Sequence, residues 1–182
     1  MKKVLLSSIV FISLTLAAIA YETVIIKFPE GELWTKVFYK KIRNEALLQY
    51  TPSGQTSNNW VKSVVVHSYE GVGTPIGTFS DGVAAKMQKA NPTSPYKTFK
   101  MRSDDIILGR CTQDYKNIKG QCEFLRTTRS HTGIVTIHYM NKNQDDFMKN
   151  YNQWYDIIKR AKFLNTYYRN ERTLNKSEYF EI

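Results

Sequence analysis

The sequence predicts an α+β domain, in which two helices at residues 75–90 and 143–164 pack on a mainly antiparallel sheet of five to six strands. Two observations carry this prediction. Short runs rich in β-branched and aromatic residues are separated by turn residues, which is typical of strands in a sheet. Two longer stretches repeat apolar residues every three or four positions, which is typical of amphipathic helices.

Residues 1–20 have the pattern of a cleaved Sec-type signal peptide. Lys2 and Lys3 precede a short apolar run, and residues 18–20 provide a small-residue cleavage site. We expect the mature chain to begin at Tyr21, to be periplasmic or secreted, and to have no transmembrane segment; an uncleaved membrane anchor is the alternative. Removing the two lysines lowers the formal charge from +10 to +8. We interpret this charge first as a solubilising surface and alternatively as a preference for an anionic envelope partner, whereas the expected compartment argues against nucleic acid.

The first part of the domain predicts a brief strand, a hairpin and a further strand. Residues 24–26 are apolar, and residues 33–42 alternate aromatic, β-branched and basic side chains on two mixed faces. Residues 46–50 follow a turn and are expected to return as the second arm of the hairpin. Residues 64–69 are rich in valine and predict the next strand.

The segment between these strands, residues 50–60, predicts a structural corner. Pro52 has no amide hydrogen and is expected to end the strand. Ser57 is a preferred helix N-cap residue and is expected to cap one helical turn. Trp60 falls in that turn, and we expect its indole to be a buried anchor of the core.

A glycine-rich segment, residues 71–77, precedes the first predicted helix. A dinucleotide-binding loop also lies between a strand and a helix, but Ile76 stands where that motif needs its last glycine. We therefore predict no nucleotide cofactor, and the sequence indicates no other cofactor. Thr74 is expected to cap the helix, and Pro75 is expected to be its first residue.

Residues 95–101 predict another strand, and residues 106–139 predict a three-stranded meander. Cys111 and Cys122, the two cysteines of the chain, flank a turn within this meander. An even number of cysteines in an exported chain predicts a disulfide, which would close this hairpin.

The second predicted helix, residues 143–164, has the clearer apolar face. Asn143 is expected to cap it, and acidic residues follow in its first turn, where they interact favourably with the helix dipole. Trp154 lies on the apolar face and is predicted to be a buried anchor. We expect the domain to span residues 21–165 and residues 166–182 to form a C-terminal tail.

The three histidines, His67, His131 and His138, form no recognisable catalytic or metal-binding motif. No two of them are spaced as ligands on one element, and the chain lacks a Gly-x-Ser-x-Gly motif. Asp104 and Asp105 are adjacent, and we interpret them as a solvated turn rather than a catalytic carboxylate pair. The sequence therefore predicts no catalytic residue and no metal-binding residue.

Two segments resemble small exported α/β/α proteins of the PsbP-like kind. They are YTPSGQT with Asn59 and Trp60, and HTGIVTIHY after the cysteine hairpin. The first is similar to the strand–turn–Trp segment of that family, and the second to the meander before its final helix. As a pattern, the resemblance covers roughly residues 33–165. It implies an antiparallel sheet with helices on its faces and mostly non-catalytic roles; it carries over no catalytic residue and does not extend to the disulfide.

The sequence thus favours an exported, non-catalytic binding protein of the cell envelope, or a secreted factor. Its partner would be another protein or an anionic envelope component. A small secreted hydrolase and a periplasmic inhibitor or immunity protein are the alternatives. A cleft joining the histidines would favour the hydrolase, whereas a protruding hairpin at residues 111–122 would favour the inhibitor.

Overall fold

The computed structural model describes residues 22–165 and 180–181. The predicted signal peptide, residues 1–20, and most of the predicted tail lie outside the described residues. In chain order the elements are β1 (Glu22–Ile25), β2 (Trp34–Ile42), β3 (Glu45–Pro52), β4 (Lys62–Glu70), α1 (Ile76–Ala90), β5 (Lys97–Arg102), β6 (Asp105–Cys111), β7 (Cys122–Arg129), β8 (Gly133–Asn141), α2 (Gln144–Lys149), α3 (Tyr151–Arg160), β9 (Lys162–Asn165) and β10 (Phe180–Glu181).

Seven of these strands form one antiparallel sheet in the order β2–β3–β4–β8–β7–β6–β5, and β10, β1 and β9 form a second, small sheet. The predicted α+β class, with a mainly antiparallel sheet, is therefore confirmed. The main sheet has seven strands rather than the predicted five to six. The second predicted helix is divided at Asn150 into α2 and α3, so the described residues form three helices rather than two.

The C-terminal part of the fold differs from the prediction. Helix α3 ends at Arg160 rather than at residue 164, and residues 162–165 leave the helix to pair with β1. Phe180–Glu181 pairs with the other side of β1. Pairing with a strand at the opposite end of the chain decides this conformation, and a local apolar pattern contains no information about such a partner.

The predicted helix starts are close to the observed ones. The Asn143 side chain accepts a hydrogen bond from the Asp146 amide at 3.0 Å, so the predicted cap of α2 is confirmed. Helix α1 begins at Ile76 with Pro75 in the cap position. The prediction of Thr74 as the cap is therefore wrong by one residue.

The main core lies on the face of the sheet that α2, α3 and β1 cover. Trp154 is 1% exposed, and its ring stacks on Tyr139 with the ring centroids 3.7 Å apart. The edge of Trp34 also meets Trp154 at 5.3 Å. Trp154 is therefore the buried anchor that the helical periodicity predicts.

The opposite face of the sheet carries α1, which lies against β6 and β7. A second apolar cluster joins Ile76 of the helix to Ile106, Leu108 and Ile134 of the sheet. Because helices cover β6–β8 on both faces, nearly every residue in these strands is buried. This matches the continuous burial expected of a strand that is covered on both sides.

An arginine of the sheet fixes the C-terminal end of α3. Arg126 donates hydrogen bonds from Nη1 to the carbonyl oxygens of Ile158 and Ala161, both at 2.9 Å. Its Nε donates to Asp105 Oδ1 at 2.9 Å, which compensates the buried charge. The last carbonyl groups of a helix have no partner within it, so this contact both satisfies them and places a cation at the negative end of the dipole.

Two further arginines fix α1 at its two ends. Arg110 donates to the carbonyl oxygens of Met87 and Asn91, at 3.2 and 2.9 Å, at the C-terminal end. Arg129 donates to the Val72 carbonyl oxygen at 2.7 Å, just before the helix begins. Helix α1 is thereby attached to β6 and β7 at both ends.

The corner at residues 50–60 contains no helical turn. Pro52 ends β3 as predicted, but Ser57 caps no helix, so that prediction is wrong. Instead, Gln55 Oε1 accepts hydrogen bonds from the Val61 and Lys62 amides at 2.7 and 3.3 Å. A side chain that binds nearby amide groups competes with helix formation, and here it closes the loop.

Trp60 is not the buried anchor that the sequence predicts. Its side chain is half-buried, and the Lys142 ammonium lies 3.9 Å from the ring centroid. The loop closed by Gln55 leaves the indole at the end of the sheet, where it makes a cation–π contact instead of entering the core.

The predicted disulfide between Cys111 and Cys122 is confirmed. The two residues face each other across β6 and β7 and close a hairpin whose tip is exposed at residues 113–119, except for the half-buried Tyr115. Among the helices in the described part of the chain, none has the length and apolarity required to span a bilayer.

Replacing both Cys111 and Cys122 by alanine is expected to lower the free energy of unfolding by about 3 kcal/mol, because the open chain regains the conformational entropy of the loop. Urea denaturation of the oxidised wild-type protein and of the variant measures this loss. A loss below about 1 kcal/mol would contradict a stabilising role for the cross-link.

Candidate functional site

Within the described part of the chain, no helix lies over half of one face of the main sheet. In β3 and β4 the residues that face the core are buried, whereas those on the α1 side, such as Leu47, Val65 and His67, are only half-buried. Helix α1 stands on β6 and β7 and reaches the end of β4, where Phe79 meets Tyr69 with the ring centroids 4.9 Å apart. Among the described helices, none lies over the rest of β2, β3 and β4 on this side. We call this uncovered surface of β2–β4 the open face.

The open face is more apolar than a surface that only meets water. Phe38 and Ile42 of β2 are 39% and 54% exposed, and they lie opposite Gln49 and Glu45 of β3. Half-buried Leu47 lies on the same side. A solvated sheet face normally carries polar side chains at such positions, and clustered exposed apolar residues mark interaction sites.

The polar groups of the open face satisfy one another. Gln49 donates from Nε2 to Ser63 Oγ at 3.0 Å. His67 Nε2 lies 3.2 Å from Glu45 Oε2, and the Tyr69 hydroxyl lies 2.7 Å from His67 Nδ1. A partner could therefore cover this surface without leaving these groups unpaired, which would otherwise oppose binding.

The environment of His67 favours its neutral form. Burial lowers the pKa of this imidazole, and the hydrogen bond and negative charge of Glu45 only partly offset that effect. The ring also stacks on Tyr69 with the centroids 4.0 Å apart. Burial, together with the charge of Glu45, raises the pKa of Tyr69 to about 12.

The edge of the open face is basic. Lys40 and Arg43 are exposed, and neither of them forms an ion pair with another described residue. Lys41 pairs with Glu70 at 3.4 Å. The edge strand β2 and the turn after it thus combine exposed apolar side chains with two cations that have no ion-pair partner among the described residues.

A buried polar network lies beneath α1, between β6, β7 and β8. Glu123 is fully buried and accepts hydrogen bonds from Arg110 Nε at 2.5 Å and Gln121 Nε2 at 2.8 Å. His138 Nε2 lies 3.0 Å from the same carboxylate, and the Tyr96 hydroxyl also donates to it. One carboxylate therefore organises groups from three strands and the loop after α1.

The network keeps Glu123 ionised. Burial alone would raise the pKa of this carboxyl group, but the charge of His138 and the hydrogen bonds from His138, Tyr96 and Arg110 outweigh burial and hold the pKa far below its usual range. Among the described residues, His138 is hydrogen-bonded only to Glu123, so no serine, threonine or cysteine is activated by this imidazole as a nucleophile would be.

A small pocket opens between the C-terminal end of α1 and the disulfide hairpin. Its volume is about 130 Å³. Met87, Ala90 and Ile118 provide apolar walls, and Arg110 and Gln121 of the buried network lie behind them.

The histidines do not form one site. His67 and His138 lie on the same side of neighbouring strands, but each is bonded to its own carboxylate, and His131 is in an exposed turn. The described residues contain no group of three or more metal-binding side chains.

The prediction that Asp104 and Asp105 form a solvated turn is wrong for Asp105. This residue is buried and bonded to Arg126 and Lys100. It begins β6, and its arginine partner lies diagonally from it on β7. This contact depends on strand pairing and not on the neighbouring sequence.

Comparison of the chain with protein-family models, with curated proteins and with solved structures found no match. The resemblance to the PsbP-like group stays a prediction. The open face, the Glu123 network and the pocket are not evident from the sequence. The mixed apolar and basic pattern of β2 was the available indication of the open face.

Proposed function

We propose that the protein is an exported, non-catalytic binding protein and that its partner docks on the open face. The uncovered apolar surface on β2–β4 is the observation that carries this proposal. The signal-peptide pattern of residues 1–20 and the disulfide support an oxidising compartment outside the cytoplasm. The internally paired polar groups of the face support a role in binding rather than in chemistry.

The partner that fits this surface is an amphipathic helix of another protein. The distance from β2 to β4 across the open face is about 10 Å, which is two inter-strand spacings. This matches the width of one helix lying beside α1. Apolar residues of that helix would cover Phe38, Leu47 and Val65, as in helix-in-groove recognition. Acidic residues on its flank would meet Lys40 and Arg43.

A photo-crosslinking amino acid at Ile42 is expected to capture the partner in cells that export the protein. The matched control is the same amino acid at Met148, which is 60% exposed on α2, on the other side of the sheet. Mass spectrometry of the product should place the cross-link in an acidic, helical segment. Equal capture from both positions would contradict docking on the open face.

Charge reversal tests the same proposal. Lys40→Glu is expected to reduce the yield of the Ile42 cross-link several-fold, because it repels an acidic partner. Lys149→Glu, an exposed lysine of α2 without an ion pair among the described residues, should leave the yield unchanged. An unchanged yield in Lys40→Glu would exclude the acidic flank.

The exposed disulfide hairpin favours a second candidate, an inhibitor or immunity protein. Asp114 accepts a hydrogen bond from the Gly120 amide at 2.8 Å and pairs with Lys119 at 2.6 Å. The Asn91 side chain donates to the Gln113 carbonyl oxygen at 2.9 Å. These contacts hold the exposed tip in one conformation, as an inhibitory loop requires. Deleting the tip would abolish inhibition but not cross-linking at Ile42.

A further inference from the structure

The pocket beside the disulfide hairpin is separate from the open face. Its walls come from α1, β6 and the hairpin, and β2, β3 and β4 contribute no residue to it. We infer that this pocket binds one apolar side chain of an acidic polypeptide segment. The inference goes beyond docking on the open face and stands on four independent properties of the pocket.

The first property is size. Sites for drug-sized ligands have volumes of about 300–1,000 Å³, so a pocket of about 130 Å³ is too small for them. An apolar cavity of about 150 Å³ holds one benzene molecule. The pocket therefore has room for one side chain of the size of leucine, methionine or phenylalanine.

The second property is the chemistry of the walls. Met87, Ala90 and Ile118 are apolar, and Ile118 is 43% exposed at the rim, so an apolar occupant would bury it further. Arg110 and Gln121 behind them already donate to Glu123. Because its charge is compensated there, Arg110 does not require an anion in the pocket.

The third property is rigidity. Arg110 holds the C-terminal end of α1 through the carbonyl oxygens of Met87 and Asn91. The disulfide and the hydrogen bond from the Thr112 amide to the Gln121 carbonyl oxygen, 2.8 Å long, hold the base of the hairpin. Both sides of the pocket are thus fixed before binding, which lowers the entropic cost of association.

The fourth property is the charge around the opening. Lys86 and Lys89 are exposed on the last turns of α1, next to the wall residues Met87 and Ala90, and Lys116 is exposed on the hairpin. None of these lysines forms an ion pair with a described residue, whereas Asp114 is paired with Lys119. Acidic residues on either side of the inserted side chain would complement this rim.

The test uses the disulfide-bonded protein, residues 21–182, with isotope-labelled methionine methyl groups. The probe is a five-residue peptide with leucine at its centre and glutamate at the other four positions. We expect the Met87 methyl resonance to shift on titration, while the resonance of Met148, exposed on α2, stays in place. The same peptide with alanine at its centre should bind at least about tenfold more weakly, because it fills less of the pocket.

Two variants complete the test. Ala90→Phe fills the pocket from within and should abolish the leucine-dependent shift. Where that variant fails to fold, Ile118→Asp replaces it, since Ile118 is at the exposed rim and its change leaves the interior intact. Lys86→Glu combined with Lys89→Glu should weaken the leucine peptide and a glutamate-only peptide alike.

Three outcomes would overturn the inference. Equal affinity for the leucine and alanine peptides would mean that the rim attracts acidic peptides without using the pocket. A Met87 shift that persists in Ala90→Phe and in Ile118→Asp would place the peptide elsewhere. A shift with free benzene but with neither peptide would assign the pocket to small apolar molecules instead of a polypeptide.

Discussion

Replacing Glu123 by glutamine is expected to lower the free energy of unfolding by about 3–5 kcal/mol, because the substitution leaves a buried arginine without its counter-charge. The Arg110 and Glu123 side chains are 3% and 0% exposed and are bonded at 2.5 Å. Glutamine has nearly the same shape, so the loss reports charge and hydrogen bonding rather than a cavity. Urea denaturation at neutral pH measures it.

Two matched variants serve as controls for Glu123→Gln. Asp114→Asn removes one charge of the exposed pair with Lys119 and should leave the urea midpoint unchanged. Replacing both members of the buried pair, Arg110→Met with Glu123→Leu, should recover part of the stability that Glu123→Gln loses, because the buried arginine is then removed together with its counter-charge. A loss below about 1 kcal/mol in Glu123→Gln would mean that Arg110 is compensated by another group.

The Glu123 carboxylate should also make the free energy of unfolding depend on pH. The pKa of Glu123 is lower in the folded protein than its ordinary value of 4.5, so below pH 4.5 the unfolded chain takes up a proton that the folded protein does not. Its contribution to stability is complete above this pH and is lost as the pH falls towards the folded-state pKa. The wild-type protein should therefore lose stability more steeply below pH 4.5 than Glu123→Gln does.

Replacing Trp154 by alanine is expected to cost about 3–5 kcal/mol, because the ring is fully buried against Tyr139 and its removal leaves a cavity in the core. Trp60→Ala is the matched control, since it removes the same side chain from a half-buried position where Lys142 is its cation–π partner. That loss should be about 1 kcal/mol. Equal losses in the two urea titrations would contradict the different burial of the two indoles.

These two tryptophans also show when the burial of a side chain can be predicted from the sequence and when it cannot. Trp154 belongs to a stretch with a regular helical period, and the period alone places it on the buried face. Trp60 lies in an irregular loop, where the side chain of Gln55 accepts the amide hydrogens of Val61 and Lys62, which a helical turn capped by Ser57 would need for its own hydrogen bonds. The preference of serine for helix N-cap positions, on which the prediction for Ser57 rests, does not include the competing hydrogen bonds of Gln55.

The strands themselves follow from local composition, but their arrangement does not. The meander from β6 to β8 was predicted because short turns connect consecutive strands. The pairing of β4 with β8, which joins the two halves of the sheet, brings Lys62 next to Asn141 across nearly eighty intervening residues. No local pattern specifies such a contact.

The candidate site depends on the same long-range arrangement. Among the described helices, α1 is the one on the side of Leu47 and Val65, and it stands over β6 and β7, so it leaves these two residues half-buried. Similarly, Glu123 and Arg110 appear in the sequence as two ordinary charged residues, and only the register of β6 against β7 makes them direct partners.

The attachment of α1 at both ends has a consequence for the kinetics of association. Arg129 and Arg110 hold the start and the end of this helix on the sheet, so the side of the helix that borders the open face is in place before a partner arrives. A docking helix would then meet a surface that needs no rearrangement. Its association rate would be limited by diffusion and orientation, and the lifetime of the complex would set the affinity.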